Sequence, residues 1–294
     1  MSATRAVHYN PRMCLLAFAW KAHPRYRLIL AGNRDEFHDR PSTPLAWWPD
    51  DPRILAGRDE RAGGTWLGVA RSGRIGVVTN FRDLEAPVGD APSRGGLIPR
   101  FLTGATSPKE FLDDLKATSG RYSGFNLLTG GPRALYYFSN RGTTEPRPLA
   151  PGVYGLSNHL LDTPWPKVRR VRERLESALV KEAIEAEGLF DALEDREPAD
   201  PGELPATGLS AEWERIVSAP FIVHPRYGTR CSTLLTVERN GRTVIVERRF
   251  DASGTETGRT RHEFRSAEVP EIWYGTEDPD EAAPLDVGFD TSPE

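Results

Sequence analysis

The grouping of short apolar segments along the chain predicts a layered α+β domain. Runs of strand length occur in groups, and helical patterns stand between these groups instead of alternating with single strands. The chain has 294 residues, 38% hydrophobic and 27% charged, which suits a globular protein with a substantial core. No linker divides residues 13–275 into two self-sufficient halves, so we expect one domain there.

The strands are predicted in segments of three to eight residues, most of them apolar, bounded by turn residues. Residues 71–73 are predicted to form a turn that joins the strands Thr65–Ala70 and Arg74–Thr79 into a hairpin. Four prolines between residues 41 and 52 predict a loop before that hairpin. The predicted strands are Cys14–Trp20, Tyr26–Ala31, Thr65–Ala70, Arg74–Thr79, Phe125–Leu128, Leu135–Phe138, Val153–Ser157, Phe221–Val223, Ser232–Glu238, Thr243–Phe250 and Arg259–Phe264.

Two helices carry strong local signals. Ser107 and Glu110 have the spacing of a capping box, and Pro108 between them suits the first helical position. The segment from Pro166 to Ala186 places apolar residues at three- and four-residue steps among Arg, Lys and Glu, which predicts a long amphipathic helix on a sheet. An acidic, proline-rich loop is expected at about residues 195–207.

The two ends of the chain lack the pattern of a folded domain. Residues 1–12 show no periodicity, and we interpret them as a disordered leader or a misassigned start. Residues 276–294 contain seven acids and no Lys or Arg, which predicts a disordered acidic tail. No apolar run of about 20 residues and no secretory signal occurs, so we expect a cytoplasmic protein without a membrane span.

Composition also limits the partners and cofactors. The formal net charge is −4, and no Lys/Arg cluster with interleaved aromatics predicts a nucleic-acid surface. Two cysteines and six scattered histidines show no zinc-binding spacing, so we expect no metal. The phosphate-binding, dinucleotide-binding and α/β-hydrolase glycine motifs are absent, and no cofactor is predicted.

The dipeptide Met13-Cys14 at the start of the first strand suggests a nucleophile. If Met13 were the true initiator, its removal would expose a cysteine with its own α-amine. An α-amine has a pKa near 8, against about 10.4 for lysine, and can take the thiol proton at neutral pH. The alternative is that Cys14 is a small apolar residue buried in a strand, which is the usual state of a free cysteine.

A polar run at the end of the second strand favours the nucleophile. In a neighbouring antiparallel strand, Asn33, Arg34 and Asp35 would return close to Cys14. Arg34 would stabilise a thiolate, Asp35 would orient the α-amine, and Asn33 would donate to an oxyanion. The alternative is a charged turn with solvated side chains.

Seven motifs in order resemble the NRDE family, also called the transport and Golgi organisation protein 2 family, which is named after residues 33–36. The resemblance covers residues 13 to about 264. The motifs are Met13-Cys14, Gly63-Gly64-Thr65-Trp66-Leu67-Gly68, Thr79-Asn80-Phe81-Arg82, Gly124-Phe125-Asn126-Leu127-Leu128, Tyr154-Gly155-Leu156-Ser157-Asn158, Asp162-Thr163-Pro164-Trp165-Pro166-Lys167-Val168 and Tyr227-Gly228-Thr229-Arg230-Cys231-Ser232-Thr233.

The family is similar to the N-terminal nucleophile hydrolases, and this similarity implies a four-layer αββα sandwich. It also implies amide hydrolysis through a thioester, with Cys14 as nucleophile and Asp35 holding the amine. Asn158 would donate to the oxyanion and Arg230 would be a second arginine of the site. The related acylases have an asparagine in the hairpin turn where this chain has Ala70, so the backbone N–H of Ala70 or the amide of Asn80 would take that place.

The resemblance leaves two functions open. One is a cysteine amidohydrolase that acts on a small acylated substrate. The other is a protein that handles lipid, acyl-CoA or haem without hydrolysing it, although no haem-attachment motif is present.

Overall fold

The computed structural model describes residues 13–82, 91–142 and 145–266. The predicted leader and acidic tail lie outside these residues. The described strands are β1 (Met13–Trp20), β2 (Tyr26–Phe37), β3 (Ser42–Trp47), β4 (Ile54–Asp59), β5 (Leu67–Ala70), β6 (Ile75–Asn80), β7 (Phe125–Gly130), β8 (Leu135–Ser139), β9 (Arg147–Pro148), β10 (Gly152–Leu156), β11 (Tyr227–Glu238), β12 (Arg242–Phe250) and β13 (Glu256–Arg265). The described α-helices are α1 (Leu97–Thr103), α2 (Pro108–Lys116), α3 (Pro166–Ala178), α4 (Ala186–Leu193) and α5 (Ala211–Ile216).

The strands form two antiparallel sheets. The first has the order β10-β1-β2-β11-β12-β13, and the second has the order β3-β4-β5-β6-β7-β8-β9. The second sheet is a meander, because each strand pairs with its neighbour in sequence. In the first sheet β2 joins the N-terminal hairpin to the C-terminal strands, so the start and the end of the domain meet there.

Alternation along β1 produces two separate cores. Leu16 and Phe18 pack between the two sheets, together with Leu67 and Val77 of the second sheet. The odd-numbered residues of β1, such as Leu15, face the other side of the first sheet. Because side chains alternate between faces, a strand that is apolar throughout must be covered on both sides.

Helices cover the outer face of each sheet. On the first sheet α3 and α4 supply apolar residues, including Val171 and Phe190. On the second sheet α1 and α2 do the same, with Phe101 and Leu112 fully buried. The order of layers is therefore helix, sheet, sheet, helix, and the predicted α+β class with four αββα layers is confirmed.

Most predicted strands are present, and the region read as a proline-rich loop is the main error. Residues 41–52 contain β3 and the turn before β4. Pro44 is tolerated because β3 is an edge strand and its register with β4 shifts between Thr43 and Ala46. The strand predicted at residues 221–223 is also wrong, because this segment is irregular.

The helix signals were right about starts and less accurate about ends. Ser107 and Glu110 form both hydrogen bonds of the capping box at α2. The helix predicted to reach Ala186 ends at Ala178, and α4 begins separately. Val180, two residues after the end of α3, is 86% exposed, although Leu179 and Ile184 still contact the core on this side of the sheet. Within the described residues, no helix combines the length and the apolar character needed to cross a membrane.

Candidate active site

Cys14 lies beside a cavity of about 460 Å³ that opens between the sheets. The side chain is 6% exposed. Pairing of β1 with β2 sets Cys14 opposite Arg34, and pairing of β2 with β11 sets Arg34 opposite Cys231. Directly opposed residues of antiparallel strands project to the same face, so these three side chains form one row, and all three border the cavity.

The end of β2 supplies the charges around the thiol. Arg34 contacts the carboxylates of Asp59 at 3.3 Å and Glu36 at 3.5 Å. Arg40 pairs with the same two carboxylates, so the four groups form one buried network. Both arginine side chains are at most 12% exposed, and this network fixes the guanidinium of Arg34 beside Cys14.

Asp35 is a buried carboxylate with an unused oxygen. Its Oδ1 accepts a hydrogen bond of 2.7 Å from the Thr229 hydroxyl, whereas Oδ2 has no hydrogen-bond partner in the described part of the chain. In the strand register Asp35 stands opposite Met13, the residue before Cys14. Burial raises the pKa of Asp35 to about 6, against the opposing effects of Lys167 and the Thr229 hydrogen bond. A donor close to Oδ2 would stabilise the ionised carboxylate.

The thiol is not activated by these neighbours alone. Burial raises the pKa of Cys14 to about 12, and the Asp35 carboxylate adds to the rise. Arg34 opposes it, as does a hydrogen bond from the backbone of Asp35. At neutral pH the side chain is therefore a thiol, and a base is required before it can act as a nucleophile.

Lys167 is a residue of this site that we did not predict. It is the second residue of α3, is 2% exposed, and interacts electrostatically with both Asp35 and Cys14. Burial lowers the pKa of Lys167 to about 8, and Asp35 opposes this fall. Helical periodicity contains the signal, because residue 167 lies four positions before the buried Val171 and hence on the same stripe.

Replacement Lys167→Met is expected to raise the pKa of Asp35 further above 6. The ammonium group favours the ionised carboxylate, and an opposite charge within a few ångströms typically shifts a carboxyl pKa by about 1 unit or more. Titration of the Asp35 carboxyl carbon by NMR measures the change. Lys181→Met, which removes a lysine paired with Glu185 on the surface, is the matched control and should leave the value unchanged. An Asp35 pKa that stays the same in Lys167→Met would contradict the coupling.

Two asparagines predicted in the site are engaged elsewhere. Asn33 is fully buried and donates both amide protons, to the carbonyls of Leu193 at 2.8 Å and Pro220 at 2.9 Å. It ties the end of α4 to the sheet and does not border the cavity. The amide of Asn158 donates to the carbonyl of Asn80 at 2.9 Å, and Asn158 does not border the cavity either.

Of the three remaining candidate residues, two border the cavity and one does not. Asn80 and Arg230 border the cavity. Arg230 donates to three backbone carbonyls at the end of β2 and in the turn that follows, namely those of residues 37, 38 and 40. Ala70 packs with α1 on the outer face of the second sheet, and its N–H donates to the carbonyl of Arg74 within the hairpin. This N–H is thus already engaged within the hairpin, and an oxyanion role for it stays a prediction.

Part of the cavity wall depends on a close approach of two backbones. A Cβ on Gly64 would stand 2.3 Å from the carbonyl carbon of Gly95, so only glycine fits there. Both glycines border the cavity, next to Trp66. This contact explains Gly64, whereas Gly63 has a positive φ of 71°, a backbone conformation that favours glycine. Across the described residues no group of three or more His, Cys, Asp or Glu has a geometry that would hold a metal ion.

These features define a class of protein: a four-layer αββα fold with a buried cysteine at the start of a central strand and a charged cavity beside it. The chain belongs to the Transport and Golgi organisation 2 family, whose sequence profile matches residues 13–252. The family predicted from the seven motifs is thereby confirmed.

Two curated relatives extend over most of the chain. The Mus musculus Transport and Golgi organization 2 homolog is 35% identical over 269 residues, which are 83% of this chain and 97% of the mouse protein. The Bos taurus homolog is 35% identical over 285 residues, 86% of this chain and 99% of the bovine one. Among solved structures, a Caenorhabditis elegans N-acylethanolamine-hydrolyzing acid amidase ortholog is similar with a TM-score of 0.39 and 11% identity, covering 76% of this chain and 92% of that one.

Proposed function

We propose that the protein is a cysteine amidohydrolase that cleaves the C–N amide bond of a small acylated substrate, with Cys14 as its nucleophile. One observation carries the proposal. Cys14 borders the cavity, and the buried Asp35 beside it has a carboxylate oxygen, Oδ2, without a hydrogen-bond partner among the described residues. Asp35 stands opposite the residue that precedes Cys14. A chain that begins at Cys14 would place its α-amine where that oxygen can accept a hydrogen bond from it.

The α-amine supplies the missing base. With a pKa near 8, it takes the thiol proton at neutral pH, and the resulting ammonium group donates to Oδ2 of Asp35. The thiolate then attacks the amide carbon, and the guanidinium of Arg34 stabilises the negative charge that develops. The C–N bond breaks as the ammonium returns its proton to the leaving amine, which leaves a thioester on Cys14. Water activated by the same amine hydrolyses the thioester to the acid.

Of the other polar residues, Asn80 donates to the oxyanion in this proposal, and Asn158 and Arg230 act by positioning. The amide of Asn80 stands at the cavity and is the donor assigned to the oxyanion, whereas Asn158 holds the Asn80 carbonyl from behind. Arg230 fixes the turn after β2 and so supports the Arg34 network. None of these three roles requires a charge change during the reaction.

We expect a chain that begins at Cys14 to react with a thiol alkylator roughly 100-fold or more faster at pH 7 than a chain that retains residues 1–13. In the longer chain the pKa of about 12 leaves about one thiol in 10⁵ ionised at pH 7, and its rate should rise about tenfold per pH unit up to that pKa. Mass spectrometry after timed alkylation gives the rate at Cys14. Cys231, whose pKa burial also raises, is the internal control and should label slowly in both chains.

Hydrolysis itself is tested with the same two chains and a set of chromogenic N-acyl amides. Turnover by the chain that begins at Cys14, and none by the longer one, supports the proposal. Equal slow labelling of Cys14 in both chains, without turnover by either, overturns it.

A non-catalytic carrier of lipid, acyl-CoA or haem is the second candidate. The observation in its favour is the raised pKa of Cys14, since a neutral buried thiol suits a cavity that holds a ligand without reacting. Saturable binding of a fluorescent acyl-CoA or of haem that survives Cys14→Ala, with no turnover by the chain that begins at Cys14, would favour the carrier over the hydrolase.

A further inference from the structure

The row that contains Cys14 continues across the first sheet. Cys231 stands opposite Arg249 of β12, and Arg249 stands opposite Gly258 of β13. Cys14, Arg34, Cys231 and Arg249 therefore share one face of the sheet, and all four border the same cavity. Neighbouring strands are about 4.8 Å apart, so three spacings separate the Cα atoms of Cys14 and Arg249 by roughly 14 Å.

Arg249 forms no ion pair within 4.0 Å in the described part of the chain, and the Glu247 carboxylate interacts with it only at longer range. Its Nε is buried and has no hydrogen-bond partner. Glu247, two residues earlier on the same strand, accepts from the backbone N–H of Leu45 instead of forming an ion pair with Arg249. Gly258 leaves the room that the guanidinium occupies, because a Cβ there would stand 2.2 Å from Nη2 of Arg249.

The charge of the cavity as a whole points in the same direction. Among the described residues that border it are six arginines and four carboxylates. Arg34 and Arg40 are neutralised by Glu36 and Asp59. Arg230 donates its hydrogen bonds to backbone carbonyls, and among the described residues neither Arg230 nor Arg249 contacts a carboxylate within ion-pair distance. An excess of positive charge in a concave site raises the local concentration of anions.

We propose that Arg249, assisted by Arg230, binds the oxyanion at one end of a linear acylated substrate whose amide lies over Cys14. The inference deepens the proposed hydrolase, on which it rests, by naming its substrate class: amides that carry a carboxylate or a phosphate about seven bonds from the reacting carbonyl. An extended chain advances about 1.2 Å per bond, so seven bonds cover roughly 9 Å. The arginine side chain covers the rest of the 14 Å.

The test measures binding and needs no turnover. In the full chain with Cys14→Ala, calorimetry compares the monoamide of octanedioic acid with its methyl ester, which has the same length and no charge. We expect the acid to bind about 10- to 100-fold more tightly, as a charge-assisted hydrogen bond to a guanidinium supplies. The monoamide of butanedioic acid is too short to reach both ends and should show no such preference over its ester.

Variants then assign the preference to one residue. Arg249→Met should bind acid and ester equally, Arg249→Lys should keep part of the difference, and Gly258→Ala should reduce it by displacing the guanidinium. Arg261→Met, an exposed arginine paired with Glu263 on β13 and away from the cavity, is the matched control and should keep the full preference. Unfolding temperatures identify any variant that fails to fold.

The binding measurements either support or overturn the assignment of Arg249 as the anion-binding residue. Equal binding of acid and ester, no binding of either, or a preference that persists in Arg249→Met overturns the proposal. The phosphate monoester of 7-hydroxyheptanamide distinguishes the two anions, since tighter binding than the acid identifies phosphate as the group recognised. Because the thiol is absent throughout, failure of hydrolysis in the unsubstituted chain would overturn the hydrolase and leave this result standing.

Discussion

Replacement of Cys14 by alanine in the chain that begins at residue 14 is expected to lower kcat for amide hydrolysis by roughly 10⁶-fold, the loss found when a hydrolase loses its nucleophile. The residual rate would come from charge stabilisation by Arg34 and from substrate binding in the cavity, because neither contribution depends on the thiol. KM should change little, since the thiol is 6% exposed and makes a small part of the cavity surface. Steady-state kinetics with a chromogenic N-acyl amide give both constants.

Cys231→Ala is the matched control for this variant. Cys231 occupies the position on β11 that mirrors Cys14 across Arg34, and it borders the same cavity. Burial and the Glu247 carboxylate hold its pKa well above normal, and β11 gives it no free amine. We expect kcat to fall less than about tenfold in Cys231→Ala. Equal losses in the two variants, or more than a tenth of the activity left in Cys14→Ala, would show that Cys14 is not the nucleophile.

The parts of the fold that the sequence predicted are those where burial repeats with a regular period. β1 and β2 are covered on both faces, and their apolar runs are visible in the sequence. β3 was missed because an edge strand can be exposed, short and interrupted by Pro44 at a bulge. β4 is an internal strand and was missed because only its first three residues are buried. The end of α3 was missed because the apolar periodicity continues past Ala178, and residues such as Leu179 and Ile184 contact the core without being helical.

The site shows the same division between local and long-range information. Cys14 and Arg34 were predicted to be neighbours because strand pairing in a hairpin follows from adjacent segments. Arg249 and Gly258 entered the site through pairing between β2 and β11, which are about 200 residues apart in the chain. No local pattern carries that register, and the same is true of the tertiary contacts that bury Lys167.

Replacement of Arg82 by alanine is expected to lower the free energy of unfolding by about 3–5 kcal/mol, because it leaves a buried charge without its partner. Arg82 follows β6 and contacts the Glu214 carboxylate of α5 at 2.8 Å, and both side chains are 5% exposed. The guanidinium also lies over the Trp165 ring, with its central carbon 4.7 Å from the ring centre. Urea unfolding followed by fluorescence measures the change.

The double variant Arg82→Met/Glu214→Leu separates the charge from the packing. Replacing both members of a buried pair by apolar residues of similar size is often neutral, so most of the loss should be recovered. Lys109→Ala, which breaks the exposed pair with Asp113, is the control and should cost less than about 1 kcal/mol. A small loss in Arg82→Ala, or a double variant as unstable as the single one, would contradict the buried pair.

The backbone N–H of Arg82 also donates to the carbonyl of Asn158 at 2.7 Å. Because Asn158 in turn holds Asn80, a loosened Arg82 should widen the cavity on that side and lower hydrolysis even at temperatures where the variant remains folded.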